Sequence, residues 1–332
     1  MSGLLGPRPG PDEPIRIAFQ LWSQEVSWPD LMAGGERIEA LGFASLFAND
    51  HMMPTLGDAN GLTVGAPGPV FEGWMILGGW AARTTRIPLG MMVCGVGYRN
   101  VGLTVKMATA LDHASDGRAM LGLGAGWHEP ETIAFGYEVL SLGDRISRLD
   151  EGSRLARAAL DGVPVTQEGR WVSAHGLRND PPPIQARMPL LIGGSGEKRT
   201  LRIVARDADI WNGEGDPETY AHKNAVLDAH CAEIGRDPLT IRRTVGVQPV
   251  CIRDTREAAV DALTAILRKQ GPVVEARAWA ESSPLANTQD AVVQQFRAWR
   301  AAGAEEVVID LPNPIDDETI ERLAGPVRER LG

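Results

Sequence analysis

Hydrophobic and polar positions along the chain alternate between two periods. Short runs rich in β-forming residues fall at 15–21 (Ile-Arg-Ile-Ala-Phe-Gln-Leu), 43–47, 86–94, 119–123, 189–192, 208–211, 241–249 and 305–311, and read as strands. Between them the apolar residues take helical spacing. Residues 29–41 open with Pro29-Asp30, carry Leu31, Ile38 and Leu41 on one face and close at Gly42. Residues 72–83 are apolar almost throughout after Glu72, which implies burial against a sheet, and 100–114 carry Val101, Val105, Ala108 and Leu111. Further helices are predicted over 145–161, from the residues after Thr200 through Arg206, and over 218–234, 256–269 and 288–302. Strand and helix repeated eight times predict an α/β fold, a closed (β/α)8 TIM barrel, with functional groups at the C-terminal ends of the strands.

Two stretches interrupt the pattern. Residues 163–183 have a hairpin signal around Glu168-Gly169 followed by Pro181-Pro182-Pro183, and read as an insertion. Residues 270–287 fit neither period. The expected layout is a flexible N-terminal leader over 1–14 and a single barrel domain over 15–330.

Composition narrows the class. A net charge of −10 and a pI near 5.2 argue against a nucleic-acid or anionic-membrane footprint, since phosphate binding needs clustered Lys and Arg. Cys94, Cys231 and Cys251 are too few and too scattered for a disulfide framework or a zinc site, so the expectation is a cytoplasmic protein. None of the six histidines forms an i, i+4 pair around a glutamate, so no metal is expected. No run reaches the ~18 apolar residues of a spanning helix.

Candidate chemistry falls just after three strands. Asp50-His51 follows the second. Gly122, Gly124 and Gly126 line the exit of the fourth, removing side chains at alternating positions so that main chain becomes reachable by something flat and polar, and Trp127 and His128 follow as an aromatic wall and a titratable edge. Gly193-Gly194-Ser195-Gly196 follows the fifth and opens a helix with Lys198, Arg199 and Thr200 close by, which suits a phosphate. Each also has a plainer reading: a turn cap for Asp50-His51, a tight turn with a core Trp for the second, and a tight turn for the third. Trp211, at the end of the sixth strand, is either core or the flank of a cofactor ring. The dinucleotide fingerprint and the P-loop both fail on spacing.

Taken together, residues 36–212 resemble the bacterial luciferase-like monooxygenase superfamily, flavin-dependent monooxygenases and oxidoreductases that use the deazaflavin coenzyme F420. The matching blocks are Glu39-Ala-Leu-Gly-Phe-Ala-Ser-Leu-Phe with Asp50-His51; Ala81-Ala-Arg-Thr-Thr-Arg-Ile-Pro-Leu-Gly; Lys106-Met-Ala-Thr-Ala-Leu-Asp; Asp116-Gly-Arg-Ala-Met-Leu-Gly-Leu-Gly-Ala-Gly-Trp; and Gly193-Gly-Ser-Gly-Glu-Lys-Arg-Thr with Ala208-Asp-Ile-Trp-Asn. The resemblance implies that Asp50 and His51 are catalytic, with His51 as proton donor or substrate orienter. It implies that Met92 and Val93 bend the backbone behind a cofactor ring through a non-proline cis peptide. Ala125, Gly126 and Trp127 would line the cofactor, Gly194, Ser195 and Gly196 would hold its phosphate, and Trp211 would lie against it. Relatives carry glutamate or arginine where Ala125 or Trp127 stands, which implies that proton delivery or charge pairing comes from another residue here. The implied function is coenzyme F420-dependent hydride transfer to or from a small organic substrate, with an FMN-dependent monooxygenase and a non-catalytic barrel as alternatives. A homodimer through apolar helix faces such as 73–82 and a substrate lid from 52–70 and 270–287 complete the expectations.

Overall fold

The computed structural model describes residues 4, 10, 13–55, 68–270, 275–313 and 315–332. The leader expected over 1–14 lies almost wholly outside these residues. Eight parallel strands form the centre: β1 (Arg16–Leu21), β2 (Leu46–Ala48), β3 (Leu89–Met91), β4 (Ala119–Gly124), β5 (Leu190–Gly193), β6 (Ile210–Gly213), β7 (Arg242–Val247) and β8 (Glu306–Leu311). Their order is β3-β2-β1-β8-β7-β6-β5-β4, and pairing of β3 with β4 through Leu89–Ala119 and Gly90–Met120 closes the barrel. The predicted (β/α)8 barrel is therefore present, each strand within a few residues of its expected place.

Strand alternation sorts the core into two layers. Ala18, Phe47, Met120, Leu191, Ile210 and Val308 point inward and plug the barrel. Their neighbours Phe19, Leu46, Leu121, Leu190 and Val307 point outward, against the ring of helices. The helices begin where the sequence supplies caps: Ser27 accepts from Asp30 N at 3.2 Å ahead of Trp28–Ala40, and Glu72 accepts from Met75 N at 2.8 Å ahead of Gly73–Arg83. Trp74, Ile76, Leu77 and Trp80 of the second helix are buried in their own barrel, which leaves Met75, at 67% exposure, as its exposed large apolar side chain.

The chain departs from expectation in three places. The third strand does not run unbroken over 86–94; it stops at Met91, makes the cis bond Met92–Val93 and rejoins β4 at Cys94–Gly95. Residues 163–183, by contrast, are the expected insertion with its hairpin, Val165–Glu168 paired antiparallel with Ser173–Leu177 outside the barrel sheet. The irregular 270–287 region contains a helix, Ala276–Ser282, and a short strand, Ala286–Asn287, paired with Cys251–Ile252. A helix at Glu129–Ala134 stands where the sequence suggested only a polar segment. No helix among the described residues is long and apolar enough to cross a membrane.

Candidate active site

Above the apolar plug, the next inward positions are small or polar: Gln20, Asn49, Gly124, Gly193, Asn212, Gly246 and Asp310. The barrel therefore opens at the C-terminal ends of its strands into a cavity of about 1010 Å³. All three sequence-predicted turns meet there. Asp50 and His51 line it from β2, Gly124 through Trp127 from β4, and Gly193 through Gly196 from β5. Met92 and Val93 line it from the bend after β3. Groups from turns far apart in the chain thus share one space because parallel strands of a closed barrel all end on the same rim.

The glycines do two different jobs. A Cβ at Gly122 would lie 1.9 Å from the Met91 carbonyl oxygen, and one at Gly124 would lie 2.4 Å from Val93 Cγ2. Both positions are bare so that the bend can pack against β4; this corrects the expectation that Gly122 exposes main chain to a ligand, whereas Gly124 still lines the cavity. Val93 also packs against Gly193, where a Cβ would lie 3.1 Å from its Cγ1. The open main chain is at Gly126, with φ +77° and no atom within 4 Å of a Cβ, and at Gly194, with φ +120°.

His51 is held by a residue that sequence reasoning missed. Its Nδ1 lies 3.3 Å from Glu131 Oε1, and its ring meets Trp127 edge-on at 5.5 Å. Glu131 is 0% exposed; its Oε1 also accepts from Tyr98 Oη at 2.5 Å, while Oε2 accepts from Met52 N at 2.5 Å and Met53 N at 3.0 Å. Burial pushes the Glu131 carboxyl up, but the bonds from His51, Tyr98 and Met52 outweigh it and leave it at about 2. This carboxylate holds the loop after β2 in place and fixes the His51 ring. The only sequence signal was an acidic residue in the first turn of a short helix, which more often just complements the helix dipole.

Asp50 lines the cavity, yet both carboxylate oxygens lie 2.8 Å from Arg99 Nη1, and Oδ2 also accepts from Gly95 N at 3.2 Å. Arg99 Nη2 in turn meets Glu72 at 2.7 Å. Burial pushes the Asp50 carboxyl up to about 6 in spite of Arg99. Its geometry ties the β2 and β3 ends together.

The β5 turn is fixed by its own hydrogen bonds. Gly194 N donates to Asn212 O at 3.1 Å, Glu214 N donates to Ser195 Oγ at 3.3 Å, and the helix Thr200–Asp207 begins just beyond. Arg199, expected as a nearby cation, is tied instead to Gly143 O and Ser147 Oγ, both at 2.9 Å. Among the described residues no cluster of His, Cys, Asp or Glu has the arrangement of a metal site.

The model of the luciferase-like monooxygenase family matches residues 14–326. The chain belongs to that family. Within the luciferase-like family it is 30% identical over 227 residues to the F420-dependent glucose-6-phosphate dehydrogenase of Microbacterium testaceum, a match covering 67% of this chain and 64% of the relative. Its fold matches that of an F420-dependent secondary alcohol dehydrogenase solved with an F420-acetone adduct, with a TM-score of 0.77 at 17% identity over 95% of this chain and 99% of the other. A long-chain alkane monooxygenase superposes with a TM-score of 0.75 at 14% identity, over 96% of this chain and 91% of that one.

Against this luciferase-like frame one expected cofactor residue is out of place. Trp211 is 0% exposed and faces outward from β6, where its ring stacks on Tyr220 at 5.1 Å and its Nε1 donates to Gly194 O at 2.9 Å. The inward neighbour Asn212 lines the cavity instead. Trp211 steadies the glycine turn from behind. Of the two stretches expected as a lid, residues 56–67 lie outside the described residues, whereas Trp279, Pro284 and Leu285 of the second line the cavity.

Proposed function

We propose that this chain is an oxidoreductase that uses coenzyme F420 for hydride transfer to or from a small organic substrate. The observation that carries the reading is the convergence of bare main chain at Gly126 and Gly194, the Val93 shelf and the His51 imidazole on one cavity. The residues fit such a group. The Gly194-Ser195-Gly196 turn, with a helix start beyond it, suits the phosphate, Ala125, Gly126 and Trp127 suit one wall of a flat ring, and Met92 and Val93 suit its underside. When bound, the deazaflavin would give or take the hydride.

The chain's own residues then orient the partner and manage the proton. With Glu131 accepting from Nδ1–H, His51 keeps Nε2 as the atom that gives or takes a proton at the substrate. Tyr98 and the Met52 and Met53 amides hold Glu131 ionised, so the ring keeps its orientation through turnover. Asp50, saturated by Arg99 and Gly95, acts as a positioning residue. The 30% identical relative from Microbacterium testaceum supports coenzyme F420 over FMN. The same reading includes a cytoplasmic homodimer. Its contact would lie away from the Trp74, Ile76, Leu77 and Trp80 side chains, which their own barrel buries, and sedimentation of the purified chain tests it.

Anaerobic titration with reduced coenzyme F420 and reduced FMN in parallel decides the cofactor. Tighter binding of coenzyme F420 without oxygen uptake on turnover is the expected result. Preference for FMN with oxygen uptake replaces the reading by a monooxygenase, and binding of neither leaves a non-catalytic barrel.

A further inference from the structure

The cavity wall at the ends of β8 and β1 has a chemistry of its own. Asp310 is paired in register with Gln20 on the adjacent strands β8 and β1, and both side chains face the cavity. Two residues beyond Gln20, Trp22 also lines it, stacked on Trp279 at 6.3 Å with 8° between the rings, and Trp22 N donates to Leu311 O next to Asp310. Glu214 reaches the same space from the end of β6, beside Asn212. No hydrogen bond or ion pair to the Asp310 side chain occurs among the described residues. No lysine or arginine lines the cavity among them either, and the sequence of residues 56–67 contains neither.

An inward carboxyl with no cation beside it, flanked by a second acid and a pair of indoles, is the composition of a site for a positively charged nitrogen. The carboxylate supplies the counter-charge and the ring faces supply cation–π attraction. Left alone, the group is costly to ionise: burial, with Glu214 adding to it, pushes the Asp310 carboxyl up to about 7. An anionic substrate at this wall would meet the Asp310 and Glu214 carboxylates with no lysine or arginine of the cavity to offset them.

We propose that the wall formed by the ends of β1, β6 and β8 selects a substrate carrying a cationic nitrogen, an ammonium, amidinium or iminium, with Asp310 as its specificity-determining residue. The inference rests on the cavity being the substrate site of the proposed oxidoreductase. It makes the substrate class differ from the phosphorylated sugar named for the relative from Microbacterium testaceum.

The test uses three probes of one shape, benzylammonium, benzyl alcohol and benzoate, titrated against the full chain at pH 8 and followed by tryptophan fluorescence. Benzylammonium should bind at least ~10-fold more tightly than benzyl alcohol, the span of one desolvated charge-assisted contact, and benzoate should be the weakest. Asp310→Asn, nearly isosteric, should bring benzylammonium to the level of benzyl alcohol. Glu214→Gln, at an exposed position, should reduce the preference by a smaller factor and guards against a folding defect in the first variant. Benzoate binding as well as benzylammonium, or an unchanged preference in both variants, overturns the proposal. Because these titrations need no cofactor, failure of coenzyme F420 to bind would sink the proposed activity while leaving the charge preference standing, and the reverse outcome would do the opposite.

Discussion

Replacing Glu131 by Gln tests how the imidazole is held. The substitution keeps the volume but removes a buried charge that four donors surround: His51 Nδ1, Tyr98 Oη, Met52 N and Met53 N. The folded carboxyl is lowered from 4.5 to about 2, so at neutral pH the ionised group contributes on the order of 3 kcal/mol, at ~1.4 kcal/mol for each pH unit. Because the folded value lies below the unfolded one, this stabilisation is fully present above about pH 4.5 and is lost as pH falls toward 2. Denaturant unfolding of wild type and E131Q should therefore show a gap of ~3 kcal/mol at pH 7 that shrinks steadily below pH 4.5. The amide nitrogen of Gln, placed where Oε1 now stands, would donate to Nδ1 and move the ring proton to Nε2. Nitrogen NMR of His51 should report that tautomer change. A stability gap independent of pH, or an unchanged tautomer, would refute the account of Glu131 as an ionised anchor.

Other outcomes follow from the same geometry. His51→Ala should slow turnover with little change in cofactor affinity, and steady-state kinetics beside a cofactor titration separates the two; unchanged turnover removes its catalytic role. Ser195→Asp puts a negative charge into the turn assigned to the phosphate and should weaken cofactor binding strongly, as equilibrium titration would show; equal binding relocates the phosphate. Gly122→Ala should destabilise more than Gly124→Ala, since its Cβ meets the Met91 backbone oxygen whereas the other meets a Val93 side chain that can shift. The second should cost ~1–3 kcal/mol, with thermal unfolding as the check, and the reverse order would refute the packing argument.

The barrel was legible because its signals are local and repeated: eight short β-rich runs separated by helical spacing. The three turns were legible because each follows a strand, where a closed barrel places its functional groups. What could not be read was which way a side chain points. Trp211 and Asn212 are neighbours in a strand whose sequence, Ile-Trp-Asn-Gly, does not show which residue faces inward, and the indole was assigned to the wrong side. Gly122 looked like an opening because the bend after Met91 that fills the space comes from another strand. Glu131 and Asp310 were invisible for related reasons. A buried acid differs from a surface acid only in its surroundings, and those of Glu131 come from residues 33 to 80 positions earlier in the chain. Asp310 looked like the ordinary polar end of a strand.

The join between β3 and β4 closes the ring, and it has a gap. Leu89 and Gly90 pair with Ala119 and Met120, then pairing lapses until Cys94 and Gly95 meet Leu123 and Gly124, whereas β1 and β8 pair continuously over six residues. The lapse falls where Val93 turns into the cavity, beneath the place assigned to the cofactor. A molecule resting there would act as a splint across this interrupted join of the ring, coupling occupancy to the integrity of the whole cylinder. Amides around 91–95 and 122–124 would then exchange hydrogen more slowly when the site is filled than in the empty protein.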